Sequence, residues 1–337
     1  MSLKKVVDLI KKHRSFLITV HTNPEGDALG SELAFYMMLK KLGKSATIIN
    51  EDDVPYGYNF LPGQNIIKKF NRRFFSESKS ANSRKKDLRN INFDCFAVLD
   101  CSDLARTGEI HRLNSKDMPI INIDHHISND RFGDANWVDP NASSTSEMIY
   151  ALYKSLRVPF DKDVALLLYV GMLTDTGSFR YTNTNKYTHM AVSELLKYNL
   201  DVTGTYKHIY ENIPFEDIKL LIRILPNIKR ELGGKIIWFQ IKQDVLKNKK
   251  LSFDLSEELL SFARAIKDVE VAVLFKENLG LKDEIRVNFR SQGRVYVNKI
   301  ANLFGGGGHR TASGATVRGR IDQVRKKVLA KIKENLK

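Results

Sequence analysis

The stretch "ITVHTNPEGDALGSELAFYMMLKKLG", residues 18–43, places a turn rich in acids between two regular elements. The apolar, β-branched segment 15–20 predicts a buried strand, and apolar residues at helical spacing predict a helix over 29–43. A turn that leads from a buried strand into a helix is typical of α/β proteins. This turn carries one histidine and two acids, namely His21, Glu25 and Asp27.

The alternation of strand-like and helix-like segments continues along the first half of the chain. The further predicted strands span 45–50, 96–100 and 119–124, and the further predicted helices span about 145–157 and 162–173. Strands that alternate with helices form parallel sheets through right-handed crossovers, and the helices cover both faces of the sheet. We therefore expect an α/β domain with a parallel sheet over 1–185.

The pattern changes after a predicted helical connector at 186–230. The segments that alternate like strands are 235–242, 269–278 and 284–291, and helical segments accompany them at about 256–266, 295–304 and 321–336. This combination predicts a second, smaller α/β domain over 231–337. Clefts between domains are common ligand sites, so we expect the active site between the two domains.

Composition and charge narrow the class of protein. The chain has 337 residues, enough for about two domains, and 42% of them are apolar, enough for a substantial core. The net charge of +15 favours nucleotides or nucleic acid as partners, although a Lys-rich solvated surface has the same charge. The basic, Ser/Asn-rich segment 70–92 predicts a surface insertion, and whether it contacts a substrate stays open.

Other sequence features argue against secreted and membrane classes. The chain shows no N-terminal signal pattern, and no apolar run approaches the ~18 residues that a membrane span needs. Two cysteines, Cys95 and Cys101, cannot build a disulfide framework. We therefore expect a soluble, cytoplasmic protein that does not bind membranes.

Acids and histidines recur beyond the ends of the predicted strands and after one helix. These residues are His21, Glu25, Asp27, Asp100, Asp124, His125, His126 and Asp175. In parallel sheets the carboxyl ends of the strands lie along one edge, where ligands bind. Each cluster has a structural alternative, such as a helix cap for Asp27. Buried carboxylates at one edge nevertheless repel each other unless a cation lies between them, and carboxylate with imidazole suits Mn, Fe or Zn. We therefore expect a pair of metal ions between these carboxylates.

The second predicted domain contains the segment "NLFGGGGHRTASGATV", residues 302–317. Its glycines allow the backbone to approach a ligand and to present N–H groups to an anion. The two residues that follow, His309 and Arg310, add donors for phosphate, and Arg290 and Ser291 are candidates for the same place. The alternative is a glycine-rich turn before a strand. The attached His and Arg favour a phosphate site.

Five motifs in this order resemble those of the DHH phosphoesterase superfamily. The segments "VHTNPEGDALGS", "VLDCSD", "DHH" and "LTDTGSF" look like its four N-terminal motifs, and "FGGGGHRTASG" looks like the signature of the DHHA1 domain. The resemblance implies a DHH catalytic domain over 1–185 and a DHHA1 substrate-binding domain over 231–337. The chain length suits the branch of nanoRNases and pAp phosphatases, which is related to the phosphodiesterases of linear and cyclic di-adenylate.

The resemblance also implies roles for individual residues. It implies two Mn²⁺ ions, with Mg²⁺, Co²⁺ or Fe²⁺ as substitutes, and Asp100 as the bridge between them. One ion would be held by His21, Glu25 and Asp100, and the other by Asp27, Asp100, His125 and Asp175. The catalytic groups would be Asp100 and His126, with His126 facing the scissile phosphate. The residues that grip the distal end of the substrate would be Gly305, Gly306, Gly307, Gly308, His309 and Arg310.

The expected reaction is two-metal hydrolysis, in which an activated water attacks phosphorus in line with the leaving oxygen. The expected substrates are RNA of two to five nucleotides, pApA, and 3′-phosphoadenosine 5′-phosphate, which would yield AMP. Hydrolysis of cyclic di-AMP is an alternative. A non-catalytic nucleotide sensor is an alternative of another class, favoured by Glu25, where the family usually has Asp. The direction of attack on RNA and the formation of a homodimer stay open.

Overall fold

The computed structural model of the protein describes residues 2–70, 91–246, 255–277 and 283–336. Most of the predicted basic insertion, from 71 to 90, lies outside the described residues. The chain divides into two compact units, Met1–Glu211 and Asn212–Lys337. The boundary between the units falls inside the segment for which the sequence predicts a helical connector. No helix in the described part of the chain combines the length and apolar composition needed to cross a membrane.

A parallel sheet forms the centre of the first unit. Its described strands are β1 (Ser15–Thr19), β2 (Ser45–Asn50), β3 (Lys68–Lys69), β4 (Cys95–Leu99), β5 (Ile120–Asp124) and β6 (Ala135–Val138). They lie in the order β3-β2-β1-β4-β5-β6, and each neighbouring pair is parallel. This confirms the predicted parallel sheet. The strand order reverses between β1 and β4, which is the position where open α/β sheets bind ligands.

Helices α1 to α6 complete the first unit. They are α1 (Ser2–Lys12), α2 (Gly26–Lys41), α3 (Thr145–Leu156), α4 (Lys162–Asp175), α5 (Lys186–Leu196) and α6 (Val202–Tyr210). Helix α2 begins at Gly26, three residues before the predicted start, because its first turn is polar and lacks the apolar periodicity. It packs closely against α4, since a Cβ on Gly30 would lie 2.4 Å from the carbonyl oxygen of Leu167. The absence of a side chain at Gly30 therefore allows this short distance between the two helices.

The second unit is built on a mixed sheet. Its described strands are β7 (Lys229–Glu231), β8 (Ile236–Ile241), β9 (Val271–Glu277), β10 (Glu284–Ser291), β11 (Gly307–Gly308) and β12 (Ala312–Arg318). Its described helices are α7 (Phe215–Ile224), α8 (Gln243–Leu246), α9 (Leu255–Arg264), α10 (Val297–Asn302) and α11 (Ile321–Leu336). The strand order is β11-β12-β10-β9-β8-β7, with β8 and β9 parallel and the other neighbours antiparallel.

Strand β9 is buried on both faces of this second sheet. Val273 and Phe275 face a core that includes residues of α10 and α11, whereas Ala272 and Leu274 face a core that includes residues of α7 and α9. Successive side chains of a strand point to opposite faces, so a strand covered on both sides must be apolar at every position. The apolar run in β9 therefore matches its place inside the sheet, and the predicted second α/β domain is confirmed.

One acid is buried in the core of the first unit, beneath the C-terminal ends of β1 and β2. Glu32 of α2 is 0% exposed, and its Oε1 atom accepts a hydrogen bond of 2.8 Å from Asn50 Nδ2. Burial raises the pKa of Glu32 well above its ordinary value, although the Asn50 bond opposes the rise. The folded protein therefore holds a proton that the unfolded chain releases. For this group, the free energy of unfolding falls as the pH rises above the ordinary carboxyl range.

We expect Glu32→Gln to raise the melting temperature at pH 8, because Gln mimics the neutral acid and removes the cost of keeping it protonated. The gain should shrink as the pH falls toward about 4, where the unfolded chain binds the proton as well. Thermal unfolding between pH 4 and 8 measures this difference. The exposed Glu216→Gln is the matched control for the substitution itself. A Glu32→Gln variant that is less stable at every pH would contradict a neutral Glu32.

Candidate functional site

The predicted acids and histidines of the first unit meet beyond the carboxyl ends of three neighbouring strands. His21 lies two residues after β1, Asp100 directly follows β4, and His125 directly follows β5. Asp27 lies in the first turn of α2, and Asp175 is the last residue of α4. Their side chains are held by elements from distant parts of the sequence, so the cluster exists only in the folded chain.

Asp100 is the central carboxylate of this cluster. Its Oδ2 atom lies 3.6 Å from His21 Nε2, and its Oδ1 atom lies 3.6 Å from His125 Nε2. Burial raises the pKa of Asp100, but the neighbouring imidazoles of His21, His126 and His125 outweigh burial and hold the pKa far below its ordinary value. Asp100 is therefore ionised, and its two oxygens face two different histidines.

A second group of ligand atoms surrounds His125. The ligand atoms of Asp27, His125 and Asp175 all lie within 4.8 Å of one another. Burial and the Asp100 carboxylate raise the pKa of Asp27 to about 7, and burial raises the pKa of Asp175 well above its ordinary value. Burial lowers the pKa of His125, but Asp175, Asp100 and Asp27 together raise it to about 9. The carboxylates thus repel each other and attract positive charge.

The imidazoles of His21 and His125 are oriented as metal ligands usually are. The Nδ1 atom of His21 bonds to the carbonyl oxygen of Thr22 at 2.8 Å, and Nδ1 of His125 bonds to the carbonyl oxygen of Ala142 at 3.4 Å. Histidines that bind a metal through one nitrogen commonly donate the other N–H to a carbonyl group. Both Nε2 atoms face the carboxylates. The donor set and its orientation therefore fit divalent metal ions.

The structural alternative predicted that Asp27 caps α2. The side chain of Asp27 instead bonds to a different helix. Its Oδ2 atom accepts a hydrogen bond of 2.6 Å from the Thr145 N–H, and its Oδ1 atom accepts one of 2.8 Å from the Ser146 N–H. The first N–H groups of a helix have no partner within the helix and attract negative charge. Asp27 therefore lies in the first turn of α2, but its carboxylate caps the start of α3, because the close packing of the helices brings it there.

Asp124 holds His126 and is itself held by Asn129, a residue that the sequence analysis did not include. Its Nδ1 atom donates to Asp124 Oδ1 at 2.6 Å, and Asn129 Nδ2 donates to Asp124 Oδ2 at 2.6 Å. Burial raises the pKa of Asp124, but His126 outweighs it and brings the pKa to about 2. The "DHH" motif carries a signal for this contact, since it places an acid two residues before His126 at a strand end.

Glu25 and Arg106 lie at the margin of the cluster. Glu25 is the exposed N-cap residue of α2 and makes no side-chain cap hydrogen bond. Within the described residues, no metal-like group of three ligand atoms includes Glu25, although its charge raises the pKa of His21 and Asp175. Arg106 acts in the opposite direction and lowers the pKa of His21. The sequence analysis missed this cation, which follows the "DCSD" motif.

Comparisons with known proteins agree with this architecture. The model of the DHH family, N-terminal domain, matches residues 15–172, and the model of the DHHA1 domain matches residues 234–337. Over 320 residues the chain is 30% identical to the probable bifunctional oligoribonuclease and PAP phosphatase NrnA of Streptococcus mutans, and the match covers 93% of each chain. The chain belongs to the DHH/DHHA1 phosphoesterase family.

Two further proteins show that the similarity extends over both domains. The bifunctional oligoribonuclease and PAP phosphatase NrnA of Thermus thermophilus is 29% identical over 320 residues, which cover 95% of this chain and 89% of the relative. The crystal structure of an exopolyphosphatase-related protein from Bacteroides fragilis superposes with a TM-score of 0.82 at 26% identity. That superposition covers 99% of this chain and 96% of the other. The resemblance inferred from five sequence motifs is thus confirmed.

The glycine-rich motif of the DHHA1 domain forms a helix end and a hairpin. The N–H groups of Gly305 and Gly306 donate to the carbonyl groups of Asn302 and Ala301 and close the end of α10. These two N–H groups are therefore part of a helix cap rather than of the expected anion nest. Gly307 and Gly308 form β11. A Cβ on Gly306 would lie 2.2 Å from the carbonyl oxygen of Gly314, so only glycine fits this approach to β12.

Arg310 lies exposed in the turn after this hairpin strand. Its guanidinium group stacks over the Tyr296 ring at 3.5 Å from the ring centroid, and it also hydrogen-bonds to the Tyr296 hydroxyl. His309 closes the turn through its backbone N–H, which donates to the carbonyl oxygen of Ala312 at 2.7 Å. Stacking restricts the orientation of the guanidinium group while its outer edge still meets solvent.

The structure places the other two DHHA1 candidates in different surroundings. Arg290 forms an ion pair with Glu257 of α9 and donates to the carbonyl oxygen of Phe289 at 3.0 Å. Ser291 is 1% exposed, and its hydroxyl donates to the carbonyl oxygen of Val295 at 2.7 Å. The Ser291 hydroxyl therefore stabilises the turn that follows β10.

Proposed function

We propose that this protein hydrolyses short nucleotide substrates in a metal-dependent reaction. The substrates proposed are RNA of a few nucleotides, pApA, and 3′-phosphoadenosine 5′-phosphate, which would yield AMP. The observation that carries the proposal is the buried cluster of Asp27, Asp100 and Asp175 around His125. The names of the relatives from Streptococcus mutans and Thermus thermophilus, oligoribonuclease and PAP phosphatase, support the substrate class.

We assign two divalent ions to this cluster. One would be held by His21, Glu25 and Asp100, and the other by Asp27, Asp100, His125 and Asp175. Mn²⁺ is the proposed metal, with Mg²⁺, Co²⁺ or Fe²⁺ as substitutes, because imidazole and carboxylate together suit such ions. When bound, the ions would supply an activated water nucleophile and would offset the charge of the phosphoryl oxygens.

The residues of this chain supply orientation and further charge. Asp100 offers one oxygen to each side of the centre and stays ionised. His126, whose Nδ1 atom is engaged by Asp124, would meet the scissile phosphate through Nε2. Arg106 adds positive charge beside His21, where a phosphate would be attracted. Arg310, with the neighbouring glycines and His309, is proposed to hold the distal phosphate or sugar of the substrate.

The second candidate function is a nucleotide sensor without turnover. The exposed position of Glu25 favours it, since a poorly placed ligand would weaken one of the two ions. Adding Mn²⁺ and following the release of phosphate or mononucleotides separates the two functions. Binding of nucleotide without release of phosphate or mononucleotides would contradict the proposal that this protein is an enzyme. The names of the relatives give no support to the alternative of cyclic di-AMP hydrolysis.

We expect Asp100→Asn to reduce turnover of every substrate by more than about a hundredfold, because Asn removes the charge that both ions would share. Rates with RNA dinucleotides, pApA and 3′-phosphoadenosine 5′-phosphate under saturating Mn²⁺ measure this loss. Asp134→Asn is the matched control, since Asp134 accepts a hydrogen bond from the Ile120 N–H at the opposite end of β5. Appreciable turnover by Asp100→Asn would contradict the bridging role.

We expect Arg310→Ala to raise KM by about tenfold or more and to leave kcat nearly unchanged. A hydrogen bond to a charged group contributes about 1.5–3 kcal/mol, and Arg310 is assigned to binding rather than to chemistry. Tyr296→Leu should raise KM in the same direction because it removes the stacking surface. Arg318→Ala, another exposed arginine of the same domain, is the control. A fall in kcat alone would refute the assignment.

We expect Glu25→Asp to keep or increase the Mn²⁺-dependent kcat/KM, since Asp preserves the charge and is the residue usual in the family. Glu25→Gln keeps the size, removes the charge, and should lower activity. Initial rates over a series of Mn²⁺ concentrations measure both effects. Loss of activity in Glu25→Asp would mean that the longer side chain of Glu25 is required.

A further inference from the structure

One residue outside all the sequence motifs contacts two of the buried carboxylates. Thr145 is the first residue of α3 and is 0% exposed. Its N–H donates to Asp27 Oδ2 at 2.6 Å, and its hydroxyl donates to Asp100 Oδ1 at 3.0 Å. A single residue thus connects an acid of α2 with the acid that follows β4.

The two contacts have defined geometric consequences. The hydroxyl bonds to Oδ1 of Asp100, the oxygen that also lies 3.6 Å from His125 Nε2. The other oxygen, Oδ2, then lies on the side of His21. Rotation of the Asp100 carboxylate would break the Thr145 bond. The hydroxyl therefore favours the one orientation in which the two carboxylate oxygens point toward different histidines.

The backbone of Thr145 acts on Asp27 in a similar way. Both oxygens of Asp27 accept backbone N–H groups at the start of α3, so the carboxylate has a fixed place. Ser144 caps the helix through its hydroxyl, which accepts from the Glu147 N–H at 3.0 Å and thereby fixes the first turn of α3. The hydroxyl of Thr145 is thus attached to a rigid helix start rather than to a loop.

We propose that Thr145 is a positioning residue of the metal centre, which orients the carboxylates of Asp27 and Asp100 before the ions bind. The inference rests on the proposed metal centre. Hydrogen-bond partners behind metal ligands typically change metal affinity by about 10–100-fold when they are removed. The methyl group of Thr145 contributes only packing, so its hydroxyl is the group that carries the effect on Asp100.

Titration calorimetry of Mn²⁺ into the metal-free protein tests the proposal without any substrate. Thr145→Val keeps the shape and removes the hydroxyl, and it should lower Mn²⁺ affinity by about 10–100-fold. Thr145→Ser keeps a hydroxyl and should bind Mn²⁺ nearly as tightly as the wild type. Thermal unfolding in EDTA verifies that each variant is folded. If the Val variant does not fold, Thr145→Ala is measured with the same expectation.

Thr188→Val is the matched control for this experiment. Thr188 is also 0% exposed, and its hydroxyl donates to a carboxylate, Glu147 Oε2, at 2.6 Å. Glu147 belongs to neither set of assigned ligands, so this variant should lose stability but keep its Mn²⁺ affinity. Equal losses of affinity in Thr145→Val and Thr188→Val would overturn the positioning role, as would wild-type affinity in Thr145→Val. A wild-type protein that binds no Mn²⁺ would instead overturn the proposed metal centre itself.

Discussion

Two backbone hydrogen bonds to Asp27, from the Thr145 and Ser146 N–H groups, connect helices α2 and α3 at one buried carboxylate. Burying a carboxylate is costly unless donors or positive charge replace water, and the start of α3 supplies both. Helix α4 also packs against Asp27, since a Cβ on Gly171 of α4 would lie 2.7 Å from Asp27 Oδ1. The place of Asp27 therefore depends on close packing between α2, α3 and α4.

The topology of the sheet brings the other candidate metal ligands close to Asp27. Strand order reverses between β1 and β4, so the residues that follow these strands meet at one edge. The resulting crowding shifts the pKa values of these groups in different directions. The pKa of Asp100 lies far below its ordinary value, whereas the pKa of Asp27 is raised to about 7 and that of His125 to about 9. Opposite shifts among neighbouring buried groups are typical of functional sites.

The DHHA1 domain presents a different kind of chemistry. Its glycines serve close backbone approaches, as at Gly306 beside β12, and its exposed guanidinium group is held over an aromatic ring. Such a surface suits the recognition of an anionic end group, whereas the buried cluster of the DHH domain suits bond cleavage. The proposed function accordingly assigns substrate binding to the DHHA1 domain and bond cleavage to the DHH domain.

The sequence by itself determined the family, the parallel sheet and the candidate ligands, because these depend on local periodicity and on motifs at strand ends. It did not indicate β6 or β7, which are short and partly polar, nor the true partner of Asp27, which lies 118 positions away. The contacts of Asn129 with Asp124 and of Thr145 with Asp100 were decided by the tertiary structure alone. Local patterns record which face of a strand or helix is apolar, whereas hydrogen bonds between distant elements depend on how closely those elements pack.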